Sequence, residues 1–459
     1  MELNNLSRRL IFQIGSIALA GLAALLCAQP AQAQPAGFVS IEKALKFQDT
    51  MMDAYATGST VRLSQSYSDQ ALGATAFTYD NAVAIQAYLA VGGAANLERA
   101  KVLGNGLIYA QSTNFPINDG RFAQGYFVNV PAPDGSGAYI TPAAFPFYFY
   151  TSAVGDQAWA GMALAQLYRR THDQKYLTAA LSVANWIVDN TYNTLGAGGY
   201  TFGTIIDPEN QSEPSTNGKS TEHNIDTYAF FSMLAELTRD GNAGNGSSWK
   251  SLAEHALVFV HAMYNPADGY FYTGTLGDQI TVNTYPVPED CQTWSYLALL
   301  DKHYKQTIDW ALDNLEATDT AASPDSSLTG SESITGLVFD TASLVTTAYD
   351  PDAVWLEGTS HTVATLNARI IAGDDSIAAR VRDLTTAFGL VRNIQKAQDE
   401  LGAGQTVNGA VIPVGEGLVA STSVMDTGFG YTYGPSLHIG ATGWYLIAAV
   451  GGNPFHLSY

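Results

Sequence analysis

The sequence predicts an all-α protein, an (α/α)6 toroid of six inner and six outer helices with its long loops on the inner-helix N-terminal face. Three observations predict it. Helical periodicity runs over most of the 459 residues. Helices apolar on every side alternate with helices that keep one wet face. The connections alternate as well, between a few residues and several dozen.

The all-apolar segments are Asp80–Val91, Asp156–Tyr168, Glu222–Leu237, Asp290–Leu300, Trp355–Ile371 and Leu437–Val450. A helix without a polar face belongs inside the protein. Between them lie amphipathic segments, Asn96–Gln111, Gln174–Asn190, Trp249–Tyr264, Tyr304–Ala317 and Ser376–Gln398, and one more, Ile41–Ala56, precedes the first buried helix. The buried segments begin roughly every 65 to 80 residues, a repeat of pattern rather than of identity. Six hairpins without capping repeats favour a closed ring over an open solenoid. Links from inner to outer helix are short (Gly92–Ala95, Thr171–Asp173, Ala372–Asp375), whereas those from outer to inner are long (Ser112–Gly155, Tyr192–Thr221, Asn265–Glu289, Thr318–Val354, Asp399–Ser436). Loops of that length inside a compact domain are usually functional. They place a cleft over the inner-helix N-termini, walled by Phe145, Phe147, Tyr148, Phe149, Tyr150, Tyr270, Phe271 and Tyr272. Aromatic rings suit sugar faces, and equally they pack loops.

A net charge of −21 argues against nucleic acid and anionic membrane as partners, and favours a neutral over a polyanionic substrate. At the N-terminus, Arg8 and Arg9 precede the apolar run Leu10–Leu26, and Ala31-Gln32-Ala33 offers a small-x-small cleavage site. The expected organisation is a signal peptide over residues 1–33 and a single catalytic domain over 34–459, periplasmic or secreted in a bacterium and free of the membrane after cleavage. Of the two cysteines, Cys27 leaves with the signal and Cys291 remains alone, so no disulfide framework or cysteine zinc site is expected.

Nearly every inner helix opens with an acid: Asp80, Asp156, Glu222 with Asp226 a turn later, Glu289-Asp290 and Glu357, with Asp426 and His438 before the sixth. Capping and the helix dipole account for Asp156 and Asp290 and for part of Asp80. They account less well for Glu222, since Glu is a poor N-cap, and for Asp226 and Glu357 inside apolar helices, where an acid needs a partner or a purpose. Gly358 costs about 1 kcal/mol of helix propensity and suggests close approach by a ligand or another helix.

Glycoside hydrolysis needs two carboxyl groups across a cleft, one protonated to assist the leaving oxygen and one ionised to activate water or attack the sugar. Glu222, Asp226, Asp80 and Glu357 are the candidates. Glu222 is the first choice for general acid, oriented by His223 or Asn224; Asp80 or Glu357 serves as base or nucleophile; Asp226 supports Glu222 or binds a hydroxyl. Trp159, Trp294 and Trp355 are candidate stacking platforms, each also a plausible core filler, and His438 is a candidate substrate contact. The sequence contains no phosphate-cradling glycine loop, no His-Glu-x-x-His zinc signature and no Gly-x-Ser-x-Gly elbow, so no cofactor or metal is expected. The Asp319–Asp325 loop reads as solvated rather than as a calcium site.

Five segments taken together, Thr78-Tyr79-Asp80-Asn81-Ala82, Lys219 to Asp226, Gln292-Thr293-Trp294, Val354 to Thr359 and Leu437 to Tyr445, resemble bacterial exported proteins of the six-hairpin glycosidase superfamily. The resemblance covers most of the mature chain. It implies the (α/α)6 fold and a carbohydrate substrate, with hydrolysis as the leading reaction and no particular catalytic pair. The superfamily also contains lyases, epimerases and non-hydrolytic members, so a polysaccharide lyase, a sugar epimerase or a non-catalytic glycan-binding accessory protein stands as the alternative.

Overall fold

The computed structural model describes residues 36–458, apart from 56–57, 114–117, 133, 143–151, 205–214, 217 and 374. The expected export signal, 1–33, lies outside the described residues, as do Phe145, Phe147, Tyr148, Phe149 and Tyr150. Ser40–Tyr459 forms one compact unit, and residues 36–39 before it are the opening of a helix.

The described residues hold twelve α-helices. The inner ones are α2 (Thr78–Val91), α4 (Val154–Thr171), α6 (Thr221–Thr238), α8 (Glu289–Leu299), α10 (Leu356–Ala372) and α12 (Ile439–Ala449). The outer ones are α1 (Ala36–Asp53), α3 (Ala94–Ser112), α5 (Gln174–Thr191), α7 (Trp249–Ala262), α9 (Gln306–Leu315) and α11 (Ile377–Glu400). Each inner helix packs against the next, and α12 packs back against α2, so the ring closes as an (α/α)6 barrel. Each of α3, α5, α7, α9 and α11 packs on the inner helix before it. The α1 side chains tie to α12, with Gln48 donating to the Ile439 carbonyl at 2.7 Å and Ser40 Oγ 2.8 Å from Tyr445 Oη.

Sequence periodicity produces this arrangement directly. The faces of α4 from Val154 to Leu167 are buried all round, whereas α5 buries one stripe (Tyr176, Ala180, Val183, Ala184, Ile187) and wets the other. Small residues let the inner helices touch. A Cβ on Gly161 of α4 would fall 2.2 Å from the Phe230 ring of α6, so only glycine permits that approach.

Two expectations need revision. The amphipathic segment Tyr304–Ala317 stops being helical at Leu315, because Glu316–Thr320 pairs antiparallel with Ser333–Leu337. The long loops carry several such short strand pairs, which satisfy backbone groups that loops packed on the barrel could not leave to solvent. Asp319 is not solvated: its buried carboxylate accepts from Ser326, Thr422 and Ser423 at 2.6, 2.5 and 2.8 Å and clasps two loops together.

Candidate active site

The N-terminal ends of the inner helices surround a cavity of about 1340 Å³. Five of them deliver a carboxyl group in the first turn: Asp80, Asp156, Glu222, Asp290 and Glu357, from α2, α4, α6, α8 and α10 respectively. All five line the cavity, joined by Asp426 from a loop. The first turn is where the helix dipole and free backbone N–H groups best tolerate negative charge, so the fold concentrates acids at one mouth of the ring.

Of the residues singled out from sequence, Asp80, Glu222, Glu357, His223, Trp159, Trp294 and Trp355 line this cavity. Asp226, Asn224 and His438 are not among its lining residues. Asn224 turns from Glu222 to the backbone: its amide accepts from the Tyr200 N–H at 2.8 Å and donates to the Tyr200 and Ser220 carbonyls at 3.0 and 2.8 Å, pinning the incoming loop to α6. Asp226 lies a turn below Glu222 and is fully buried. His438 caps α12, accepting from the Ala441 N–H at 3.2 Å, and the Tyr67 ring stacks on it at 4.2 Å. Gly358 admits neither ligand nor helix; a Cβ there would fall 2.2 Å from the Trp355 indole, which lies back over the start of its own helix.

The aromatic residues divide in the same way. Trp159 and Trp294 are almost fully buried and pack with Trp444 and Phe455 beneath the cavity, ring centroids 5.1 to 5.8 Å apart along that cluster, so they are floor and core at once. Trp355 stacks on Tyr433 at 5.9 Å, and Tyr433, Tyr431 and Phe339 continue that wall. The indole N–H groups of Trp294 and Trp355 find no hydrogen-bond partner among the described residues. Lys219 lines the cavity, but its ammonium donates to the Leu195 and Gly198 carbonyls at 2.7 and 2.8 Å.

Electrostatics separates the acids into two populations. Burial, with Asp290, Asp226, Asp156 and Glu357 nearby, pushes the Glu222 carboxyl well above the carboxylate range. Burial and Asp80 push Asp156 up to about 8, and burial with Glu289 pushes Asp290 up to about 7. Asp226 rises through burial and its neighbours Asp290 and Asp156. Glu357 moves the other way. Burial would raise it, but His361, His438 and Tyr79 together outweigh burial and hold it below its usual value. Tyr79 Oη donates to Glu357 Oε1 at 2.5 Å and itself accepts from the Trp444 indole N–H at 2.8 Å. His438 stands with Nε2 3.1 Å from Asp80 and Nδ1 3.6 Å from Glu357 Oε2. Its pKa is raised: burial works against the charged ring, and the two carboxylates overcome it. Burial lowers His223 to about 4, its ring held against Phe202 at 4.5 Å.

Sequence reasoning missed four contributors: Tyr79, Glu289, Trp444 and the pairing of His361. Only the last left a local trace, since Glu357 and His361 stand one turn apart on α10. Among the described residues no group of three or more His, Cys, Asp or Glu is arranged to hold a metal ion, and no helix is long and apolar enough to cross a membrane.

The closed ring of six helical hairpins is a fold shared with solved glycoside hydrolases. The chain is similar in structure to a GH76 α-mannanase of Bacteroides thetaiotaomicron, at 14% identity and a TM-score of 0.53 over 90% of this chain and 95% of that one. It is also similar to the GH76 α-1,6-mannanase of Salegentibacter (13%, 0.51, 90% and 98%) and to an α-amylase of Clostridium perfringens (12%, 0.52, 92% and 99%). An inactive variant of the Salegentibacter enzyme, 12% identical with a TM-score of 0.50 over 91% of this chain and all of that one, is in complex with α-1,6-mannotriose. At these identities the likeness establishes the fold. No family model and no curated protein matches the sequence.

Proposed function

We propose that this protein hydrolyses glycosidic bonds of a neutral oligo- or polysaccharide, with Glu222 as general acid and Glu357 as base or nucleophile. One arrangement carries the reading: acids held above the usual carboxylate range by burial and by one another (Glu222, Asp156, Asp290) share a cavity with Glu357, which is held below it. Acid and base chemistry at one pH requires that division. Glu222 gives its proton to the departing glycosidic oxygen, and Glu357 takes one from the attacking water or bonds to the anomeric carbon. Asp80, paired with His438, lies beside Glu357 as the alternative base. Aromatic walls favour a sugar ring. Two backbone carbonyls hold the Lys219 ammonium, which leaves it poorly placed to neutralise a uronate as a lyase would need. The neighbours' mannan substrates make α-linked mannans the first glycans to try. Export through residues 1–33, to the periplasm or medium, belongs to the same proposal.

The test is a panel of neutral and uronate glycans, α-1,6-mannan among them, incubated with the purified mature chain. New reducing ends without ultraviolet absorbance support hydrolysis. Absorbance from an unsaturated uronate would replace it with a lyase, and binding without turnover, indifferent to Glu222→Gln and Glu357→Gln, with a glycan-binding protein.

A further inference from the structure

We infer that Glu289 and His361, neither of which lines the cavity, form a buried positioning relay that keeps Glu357 ionised and fixes which of its oxygens is left free of a hydrogen bond. The inference rests on the reading of Glu357 as base or nucleophile.

The relay joins three inner-helix side chains. On α10, His361 follows Glu357 by one turn, its Nε2 3.7 Å from Glu357 Oε1. Its other nitrogen, Nδ1, lies 3.1 Å from Oε2 of Glu289, the first residue of α8. The second Glu289 oxygen accepts from Thr362 Oγ1 at 2.9 Å. His361 and Glu289 are wholly inaccessible to solvent. The imidazole is enclosed by the indoles of Trp294, Trp355 and Trp444, at 5.1, 5.1 and 4.3 Å between centroids, all in edge-to-face contact. An imidazole so placed has Glu289 within hydrogen-bond reach of Nδ1 and the Glu357 carboxylate within ion-pair distance of Nε2. Two negative charges, one on each side of a buried ring, favour the imidazolium over either neutral tautomer.

The consequence falls on Glu357. Its Oε1 takes the Tyr79 hydroxyl and faces His361, whereas Oε2 accepts no hydrogen bond among the described residues and stands 3.6 Å from His438 Nδ1. One oxygen is anchored and the other is left without a hydrogen bond. Breaking a buried ion pair leaves an uncompensated charge, so loss of His361 would drive a proton onto Glu357. Every element around the relay bears on its titration: Glu289 and Asp290 from α8, Glu357 from α10, His438 from the start of α12, and Tyr79 and Asp80 from α2. Burial works against a charged His361, and Glu289 and Glu357 overcome it, lifting its pKa to about 9.

Nuclear magnetic resonance of the full chain, labelled with ¹⁵N in histidine rings and ¹³C in glutamate carboxyls, reads the relay without a substrate. His361 is expected doubly protonated through pH 8, and to lose its proton at least one pH unit earlier in Glu289→Gln. Glu357 is expected to titrate below the usual glutamate range in the parent protein and at least one unit higher in His361→Gln. Should His361→Gln fail to fold, Glu289→Gln and Glu289→Asp report on Glu357 in its place, the Asp variant with the smaller displacement. A neutral His361 at pH 7 in the parent protein would overturn the inference. So would a Glu357 titration unmoved in the folded variants, because a merely structural role lowers thermal stability and leaves both titrations alone. Turnover by Glu357→Gln in the glycan panel is a separate readout. It would defeat the assignment of Glu357 as base while leaving the titrations as they were.

Discussion

Raising the pH from 7 to 8 should destabilise this protein by at least about 2 kcal/mol, and Asp156→Asn should remove about 1 kcal/mol of that loss. Above pH 6.5, histidines lowered by burial, such as His223, are neutral in both folded and unfolded chains and drop out. Asp156, with a folded pKa of about 8 against 3.8 unfolded, keeps a proton that the unfolded chain has already released. His361, at about 9 against 6.5, does the same. A folded state that binds more protons loses stability as pH rises, by about 1.4 kcal/mol per proton per pH unit. Over this interval Asp156 is half titrated at its end and contributes about 1 kcal/mol, and His361 contributes about the same. Both contributions are present in full below the unfolded pKa values and are lost as pH climbs through the folded ones. Glu222, Asp226 and His438 are raised as well and add with the same sign. Urea unfolding followed by tryptophan fluorescence at pH 7, 7.5 and 8 measures the slope. The strong net negative charge also penalises higher pH, so the difference between parent and Asp156→Asn is the decisive quantity. Equal slopes in the two proteins, or stability that rises over this range, would refute the assignment of a neutral buried Asp156.

Other outcomes follow from the same geometry. Glu222→Gln should lower kcat by about 10²- to 10⁴-fold with little change in binding of the intact glycan, as expected for a lost proton donor and measured by calorimetry beside kinetics. Tyr79→Phe removes the hydroxyl that joins Glu357 to Trp444, so the acid limb of the pH–rate profile should move upward. Gly358→Ala should cost about 1–3 kcal/mol in thermal or urea unfolding, since its methyl group would meet the Trp355 indole at 2.2 Å. Gly389→Ala, in the open on α11 with nothing within 4 Å, should instead stabilise by up to about 1 kcal/mol.

The barrel was legible because its physics is local. Whether a helix has a wet face is written within two or three turns, and α4 and α5 differ in that respect over a single hairpin. Acids at helix starts were legible for the same reason: Asp80, Glu222 and Glu357 occupy first turns and line the cavity. What escaped was orientation about the helix axis. Asp226 follows Glu222 at the spacing of a shared face, yet it lies one turn deeper, outside the cavity lining, and is buried. Asn224, two residues after Glu222, turns to the Tyr200 backbone. Capping also misled in opposite directions. Asp156 and Asp290 were assigned largely to capping but line the cavity; His438, assigned to substrate, caps α12.

The remaining gap is long range, and it concerns the chemistry more than the fold. Glu289 and His361 are 72 residues apart, and Tyr79 and Trp444 365 apart. Each pair meets only because the ring sets α8 against α10 and closes α12 against α2. The ionisation of Glu357 therefore depends on the closed barrel as a whole, since its stabilising groups come from α2, α10 and the start of α12, with Glu289 of α8 behind His361. An open array of the same hairpins would keep every first-turn acid and lose the contact between α12 and α2. Tyr79 and His438 could not then meet at Glu357. The Tyr79 hydrogen bond to Glu357 would be lost, and the enclosure that sets this acid apart from its neighbours would be lost with it. Closure of the ring is therefore the structural condition for the proposed division of acid and base.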